Sequence, residues 1–413
     1  MTQLLTRRTL ALAIALAATG LIAAAPFATA ATVSAHPGRP AGAAAKHKPR
    51  APHRRKKATP LPPPALKMIW GPLTLPDGSS AFPVYHQLGV RVLETQLVWA
   101  RTAPTRPSEP GNPADPAYRW PPELEQMISQ AAQWGITVAV LVKGTPGWAN
   151  GGMDETWAPT NANEYGSFMQ AAARRYPTVH YWMIWGEPNG PNFNPMPSNS
   201  PVGPRRYALL LEAAYSALKG VSSSNLVIGG MTWTDGPVKP PDFIRWMRLP
   251  DGAPPRLDYY GQNPYSTRFP KLTEGPALEL PDVEELDQLK RKHARLKLRQ
   301  SKLRDINDLP TLHSELAVAY RHLPGGTPKL WLSEFSISSD SANYAFNYFV
   351  SRPAQARWVT AAFKLVDSVS YVVGLGWYEL LDQPASVPGH LTEGLLTESG
   401  AHKPAFSAYA HAP

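Results

Sequence analysis

HYWMIWGEPN, residues 180–189, is a short apolar run that ends in a glutamate. Seven other β-rich runs lie before and after it. In chain order the eight runs are Lys67–Trp70, Val90–Trp99, Thr137–Lys143, His180–Trp185, Leu226–Gly229, Leu257–Tyr260, Leu330–Phe335 and Val372–Trp377. Between them, apolar residues recur at helical spacing, as at 124–131, 165–172 and 207–214. Strands that alternate strictly with helices predict a parallel sheet with helical crossovers.

Eight such units predict an α/β protein with the (β/α)8 architecture of a TIM barrel. The 346 residues that follow Lys67 leave room for insertions, because such barrels typically need about 250 residues. A doubly wound open sheet is the structural alternative. Because every strand of a barrel ends at the same face, residues at the ends of the eight runs are expected to lie together.

The longest insertion is a helical one between strands 6 and 7. It contains a charged helical pattern at Asp282–Arg304, which begins with Asp282 and Glu285 in the spacing of a capping box. Since it follows the sixth strand, the helix is expected on the active-site side of the barrel. Its many lysines and arginines suggest contact with acidic sugars or a cover for the cleft, and a solvated helix is the alternative.

Residues 1–30 have the pattern of a signal peptide. Arg7 and Arg8 precede an apolar run, Leu10–Ala25, and the small residues 28–30 form a cleavage site. The arginine pair also fits a twin-arginine signal, so both export routes remain open. An uncleaved membrane anchor is the alternative to cleavage. We therefore expect a secreted protein, extracellular or associated with the cell wall, without a stable membrane span after processing.

Residues 31–67 form a basic segment rich in Pro, Ala, Lys and Arg. The chain has a formal net charge of +10, but residues 1–67 hold eleven of its 41 Lys and Arg and no Asp or Glu. The rest of the chain is close to neutral, so nucleic acid is not an expected partner. A segment with so few large apolar residues predicts a disordered spacer before a barrel domain at 68–413. It could bind an anionic cell-wall polymer or serve only as a solubilising tether.

Cysteine is absent from the chain, which excludes disulfides, thiolate nucleophiles and cysteine-based metal sites. The sequence also lacks the motifs of serine hydrolases, phosphate-binding loops, dinucleotide-binding folds and HExxH zinc enzymes. His313 and His322 are nine residues apart, a poor spacing for metal ligands. We predict neither a metal nor a cofactor.

Two of the apolar runs end in glutamate, at Glu187 in the fourth and Glu334 in the seventh. In a barrel of this kind the active site lies at the C-terminal ends of the strands. Hydrolysis of a glycosidic bond needs two carboxyl groups, one to protonate the leaving oxygen and one to attack the anomeric carbon or activate water. A single glutamate at a strand end is more often structural, but this pair predicts a carbohydrate-cleaving site.

The motifs around these glutamates resemble those of clan A glycoside hydrolases. IWGEPN at 184–189 is similar to the W-N-E-P-N acid/base signature, and LWLSEF at 330–335 to the nucleophile strand. GTPGWA at 144–149, NPY at 263–265 and GWY at 376–378 resemble further motifs of that clan. The resemblance covers nearly all of 68–410 and is strongest to the family of β-xylosidases and α-L-iduronidases, with related actinobacterial cellulase-like proteins.

The resemblance implies a retaining mechanism with Glu187 as acid/base and Glu334 as nucleophile. It further implies that Tyr265 hydrogen-bonds the nucleophile, that Trp377 stacks under the sugar and that Trp148 forms a wall of the pocket. The other candidate substrate contacts are Trp99, Asn189 and Asn263. For Trp148 and Trp377, core packing is the alternative. The expected substrate is a β-linked poly- or oligosaccharide.

Three departures from the family pattern leave other functions open. Gly186 stands where the family has an asparagine, Asn263 where it has a histidine, and Glu94 where it tends to have an arginine. These changes fit an unusual substrate or a weak enzyme. They also fit a barrel that binds carbohydrate without cleaving it. A cell-wall structural protein is a third possibility.

Overall fold

The computed structural model describes residues 64–266, 270, 302–341, 343 and 349–413. Eight parallel strands form a closed barrel in chain order. They are β1 (Leu66–Trp70), β2 (Val92–Val98), β3 (Thr137–Lys143), β4 (Tyr181–Ile184), β5 (Leu226–Trp233), β6 (Tyr259–Asn263), β7 (Lys329–Phe335) and β8 (Val372–Trp377). Pairing of β1 with β8, as in Met68 with Gly376, closes the barrel and rules out the open sheet.

Helices lie between the strands, as the apolar spacing predicts. The described helices are α1 (Phe82–Leu88), α2 (Trp99–Thr102), α3 (Pro122–Gln133), α4 (Gly147–Asn150), α5 (Ala162–Arg175), α6 (Val202–Val221), α7 (Pro240–Trp246), α8 (Leu309–Tyr320), α9 (Arg352–Asp367) and α10 (Pro404–Ala410). A short 3-10 helix, Ile306–Asp308, precedes α8. The predicted (β/α)8 barrel is confirmed. Among the described residues, no helix has the length and apolar character needed to cross a membrane.

The core has two layers, as expected for strands that are covered on both faces. Met68, Leu141, Met183, Ile228 and Trp331 fill the inside of the barrel. A larger cluster lies between the outer face of the strands and the surrounding helices. This arrangement leaves the carboxyl ends of the strands, where the predicted glutamates lie, as the open end of a packed interior.

Two predicted strands end three or more residues too early. The fifth continues to Trp233, and the sixth runs from Tyr259 to Asn263, later than the predicted Leu257–Tyr260. Apolar character alone placed the sixth strand too early, because its last residues are polar. Gln262 is fully buried and is satisfied by Thr232 and by the carbonyl of Arg304. Asn263 therefore ends a strand rather than beginning a turn.

The barrel begins slightly before the predicted boundary at residue 68. Leu66 and Lys67 belong to β1, and the backbone N–H of Ala65 donates to Asp367 at 2.8 Å. Lys67 buries its aliphatic stem and donates to the carbonyls of Ala410 and Ala412. The predicted limit at Lys67 is therefore wrong by about three residues, because this lysine reaches the chain terminus rather than solvent.

The predicted signal peptide lies outside the described residues, as do residues 31–63 of the predicted spacer and all but the last three residues of the helical pattern Asp282–Arg304. Two basic residues of that pattern are described. Lys302 donates to Asp242 at 2.7 Å, and Arg304 pairs with Glu315. Carboxylates of the barrel, Asp242 and Glu315, thus bind both of these side chains.

Candidate active site

A cleft of about 710 Å³ opens at the carboxyl ends of the strands. Both predicted glutamates line it. The charged and aromatic residues that line it with them are Trp70, Glu94, Lys143, Tyr378, Glu379, Asp382 and Glu398. The cleft therefore collects side chains from strands that are far apart in sequence, at the end of the barrel where such sites occur.

Glu187 lies in a strained turn directly after β4. Trp185 and Glu187 have φ of 64° and 49°, in the left-handed region that is unusual for side chains other than glycine. Two contacts hold the turn: the N–H of Glu187 donates to the carbonyl of Met231 at 3.0 Å, and the Trp185 indole donates to the carbonyl of Asn192 at 2.6 Å. Strain of this kind clusters at functional sites, where the surrounding packing maintains it.

Glu334 lies near the end of β7, on the opposite side of the cleft. The hydroxyl of Tyr265, two residues after β6, donates to its Oε2 at 3.0 Å. Because an O–H donated to a carboxylate favours the ionised form, this contact stabilises the charge of Glu334. The predicted contact between Tyr265 and the proposed nucleophile is present.

Asn263 connects the two glutamates. Its Nδ2 donates to Glu187 Oε1 at 3.2 Å, and its carboxamide also favours the ionised form of Glu334. Asn192 donates to the other oxygen of Glu187 at 3.4 Å. Asn263 and Tyr265 are not among the described residues that line the cleft. Asn263 is fully buried and Tyr265 is partly buried, and each contacts one of the carboxyl groups.

Burial raises the pKa of both glutamates above the ordinary value. For Glu334 the charge of Glu187 is the next largest cause, and the hydrogen bond from Tyr265 opposes the rise. For Glu187 the hydrogen bond from Asn263 and the charge of Lys143 oppose it. Two partly buried carboxyls that repel each other titrate as a pair and share one proton over a range of pH. Such a pair can supply an acid and a nucleophile at the same pH.

Glu94 is a third carboxyl beneath the cleft and is fully buried. The Trp331 indole donates to its Oε1 at 2.9 Å, and burial raises its pKa well above the ordinary range. A Cβ added at Gly376 would lie 2.3 Å from Glu94 Oε2, so the glycine leaves room for this side chain. A carboxyl whose pKa is raised by burial thus occupies the position where the family resemblance implies an arginine.

Trp377 does not lie where the resemblance implies. It is fully buried in the outer core, where its indole donates to the carbonyl of Glu393 at 2.9 Å and its ring meets Phe335 edge-on. The prediction that Trp377 stacks under a sugar is therefore wrong. β8 is apolar on both faces, and this side chain points toward the helices.

Three other predicted substrate contacts also lie away from the described lining of the cleft. Trp99 is buried against Phe168. Asn189 is buried and holds the loop after β5 in place, since it accepts from Trp233 N–H and donates to nearby carbonyls. Trp148 is half-buried under the Arg106 guanidinium and donates to the carbonyl of Ala103. All three side chains therefore contribute to the packing and hydrogen bonding around the site.

Sequence reasoning missed six charged or aromatic residues of the cleft: Trp70, Lys143, Tyr378, Glu379, Asp382 and Glu398. Trp70 ends β1 and Tyr378 directly follows β8, and their ring centroids are 6.1 Å apart. Lys143 ends β3. A search for polar and aromatic residues at every strand end, applied as it was to the fourth and seventh, would have found the first three. Glu379 lies one residue further on and carries no such signal.

The raised pKa of Glu379 predicts that the stability of the protein depends on pH. Burial, followed by the charges of Glu393 and Asp382, raises its pKa from 4.5 to about 7. In the unfolded chain Glu379 loses its proton near pH 4.5, whereas in the folded protein it keeps its proton up to about pH 7. The stability that the protonated group gives the folded protein is therefore fully present below pH 4.5 and is lost as the pH rises toward 7. Glu379→Gln should therefore raise the free energy of unfolding by about 1–2 kcal/mol more at pH 8 than at pH 4. This figure is reduced from the full effect of the pKa shift because Glu379 is partly exposed to solvent.

Denaturant unfolding at both pH values measures this effect. Glu123→Gln, which changes an exposed carboxyl on α3, is the matched control and should shift stability equally at both. An equal shift for Glu379→Gln would show that Glu379 is not neutral in the folded protein.

Within the described residues, no group of three or more His, Asp and Glu side chains is arranged to hold a metal ion. The paired carboxyl groups and their hydrogen-bond donors are the groups on which we build the chemistry of the cleft. Aromatic faces at Trp70 and Tyr378 border the same space.

No protein-family model matches the sequence, and no curated protein matches it. Solved structures do match. A family 39 glycoside hydrolase from Bacteroides cellulosilyticus WH2 is 18% identical with a TM-score of 0.55, over 84% of this chain and 63% of its own. A monomeric β-xylosidase from Caulobacter crescentus CB15 is 17% identical (TM-score 0.55), and a glucosidase from Croceicoccus marinus is 14% identical (TM-score 0.57), each over 84% of this chain and 68% of its own.

At these identities the likeness establishes a shared fold. This chain therefore has the (β/α)8 barrel found in those glycoside hydrolases, and it spans about two thirds of their length. The enzymatic activities named above are those of the matched proteins.

Proposed function

We propose that this protein is a secreted retaining glycoside hydrolase that cleaves O-glycosidic bonds of a β-linked poly- or oligosaccharide. The observation that carries the proposal is the pair Glu187 and Glu334, which line one cleft and are joined through Asn263. The barrel shared with solved glycoside hydrolases supports it. Export is supported by the pattern of residues 1–30, and retention on an anionic cell-wall polymer is proposed for residues 31–67.

The reaction follows from the roles of the two carboxyls. Glu334 attacks the anomeric carbon while Glu187 gives its proton to the departing glycosidic oxygen, so the C–O bond of the substrate breaks as the glycosyl–Glu334 ester forms. Water then enters where the leaving group was. Glu187 takes a proton from that water, whose oxygen attacks the same carbon and releases Glu334. Two inversions return the original anomeric configuration.

A retaining mechanism needs carboxyl groups about 5–5.5 Å apart, because no water has to fit between nucleophile and sugar. The carboxamide of Asn263 contacts Glu187 and acts on Glu334 as well, and the charge of Glu187 raises the pKa of Glu334. These interactions favour a short separation over the wider one of inverting enzymes. The ring faces of Trp70 and Tyr378 offer apolar surfaces for a pyranose ring.

A carbohydrate-binding barrel without hydrolytic activity is the second candidate. Glu94 favours it, because a buried carboxyl beside the proposed nucleophile offers no cation to stabilise the charge of Glu334. Gly186 also offers the sugar no side-chain hydrogen bond.

Assay of the full chain on aryl β-glycosides and β-linked polysaccharides separates these candidates. We expect turnover of at least one substrate, with the β-anomer released first in proton NMR spectra recorded before mutarotation. Initial release of the α-anomer would contradict the retaining mechanism. Binding in calorimetry with no turnover on any substrate would favour the carbohydrate-binding barrel.

A further inference from the structure

Lys143 is the last residue of β3 and lines the cleft with Glu94, Glu187 and Glu334. It is half-buried, and it is the only lysine or arginine among the described residues that line the cleft. Six acidic residues line the same space, and one of them, Asp382, already accepts from the buried Lys403. Lys143 is therefore the cation best placed to act on the glutamate pair.

The glutamate pair needs such a cation. The pair accepts hydrogen bonds from the hydroxyl of Tyr265 and from the carboxamides of Asn263 and Asn192, which are all neutral donors. Burial works against ionisation of both carboxyls. Burial favours the protonated form of each carboxyl, and a carboxyl that keeps its proton cannot attack a sugar, so a positive charge nearby helps to keep one of the pair ionised.

We propose that Lys143 is a positioning residue that holds the Glu187–Glu334 pair in its singly ionised state, so that one carboxyl attacks while the other keeps its proton. The inference rests on the proposed glycosidase function. It also accounts for Glu94: the cation expected on β2 by family resemblance is absent there, and β3, the next strand of the barrel, supplies one.

The other charged and titratable groups near Lys143 leave its charge available to the pair. Its positive charge lowers the pKa of both Glu187 and Glu334, against the larger effect of burial. Burial raises the pKa of Glu94, on the neighbouring strand, well above its ordinary range and so favours its protonated form. The phenol of Tyr265 also stays neutral, because burial raises its pKa well above the ordinary range.

Two more carboxyl groups lie nearby and one further phenol faces the pair. Glu155 lies beside Gly144, the residue after Lys143, with its Oε2 3.7 Å from the position of a Cβ there. Glu379 borders the cleft from the loop after β8 and has a pKa of about 7. Tyr378 precedes it in the chain. Any ionisation of Glu155 or Glu379 opposes Lys143, so the expected shifts are measured with both residues intact.

Lys143→Met tests the proposal because it removes the charge and keeps the length of the side chain. Removal of a cation raises carboxyl pKa values, so both limbs of the bell-shaped profile of kcat/KM against pH should move up by about one unit. At a pH on the acid limb the activity should fall about tenfold. Lys143→Arg should restore the wild-type profile. Lys364→Met, which removes an exposed lysine on α9, should leave the profile unchanged.

A second measurement keeps the inference separate from the proposed function. Carbon-13 NMR of glutamate side chains in the full chain, assigned with Glu187→Gln and Glu334→Gln, reports the titration of the pair without any substrate. An upward shift in Lys143→Met supports the inference even if no glycoside is cleaved. Unchanged carboxyl titration in a folded Lys143→Met protein, or a profile equal to wild type in an active one, would overturn it.

Discussion

Glu334→Ala is expected to lower kcat at least about 10⁴-fold on every glycoside the protein cleaves, because without the carboxylate no glycosyl–enzyme can form. The deleted side chain leaves space on the nucleophile's face of the sugar. Azide can enter that space and attack from the same face, so an aryl β-glycoside should give the α-glycosyl azide. Product identity by NMR, with and without azide, measures both parts of this prediction.

Loss of folding must be distinguished from loss of the nucleophile. Glu123→Ala, on the exposed surface of α3, is the matched control and should retain wild-type activity. The unfolding midpoint of Glu334→Ala should stay close to wild type or rise, because burial works against a charge at this position. Full activity of the variant would mean that another residue is the nucleophile.

The effect of Glu187→Ala on the rate of hydrolysis is expected to depend on the leaving group of the substrate. Natural polysaccharides need the departing oxygen to be protonated, so their hydrolysis should fall about 10²–10⁴-fold. Aryl glycosides with acidic phenols need little help, and their first step should largely survive while deglycosylation slows from loss of the general base. A rapid burst of phenol followed by a slow steady rate is the expected time course.

Azide also distinguishes the two variants. In Glu187→Ala it should attack the glycosyl–enzyme from the face opposite Glu334 and give the β-glycosyl azide, with a faster steady rate. An α-azide from this variant, or equal losses on polysaccharide and aryl glycoside, would contradict the role of Glu187 as acid/base. If Glu334→Ala gave the β-azide and Glu187→Ala the α-azide, the roles of the two glutamates would be reversed.

The sequence by itself determined the barrel and its two principal carboxyls. Eight short apolar runs alternating with helical spacing specify parallel strands with helical crossovers, and a closed barrel buries both faces of every strand. Glu187 and Glu334 could be found because each ends such a run, and the ends of parallel strands meet at one face. The alternating pattern and the strand-end glutamates are local features of the chain, so they can be recognised without tertiary contacts.

Only the tertiary structure decided which neighbouring side chains face the cleft. Strands covered on both faces are apolar throughout, so sequence alternation does not distinguish the barrel interior from the helix layer. For this reason Trp377 appeared equivalent to a cleft residue, although Tyr378 lines the cleft and Trp377 packs outward. The relation of Lys143 to two glutamates on other strands depends on the barrel, which brings Lys143 into one cleft with Glu334, 191 positions later in the chain.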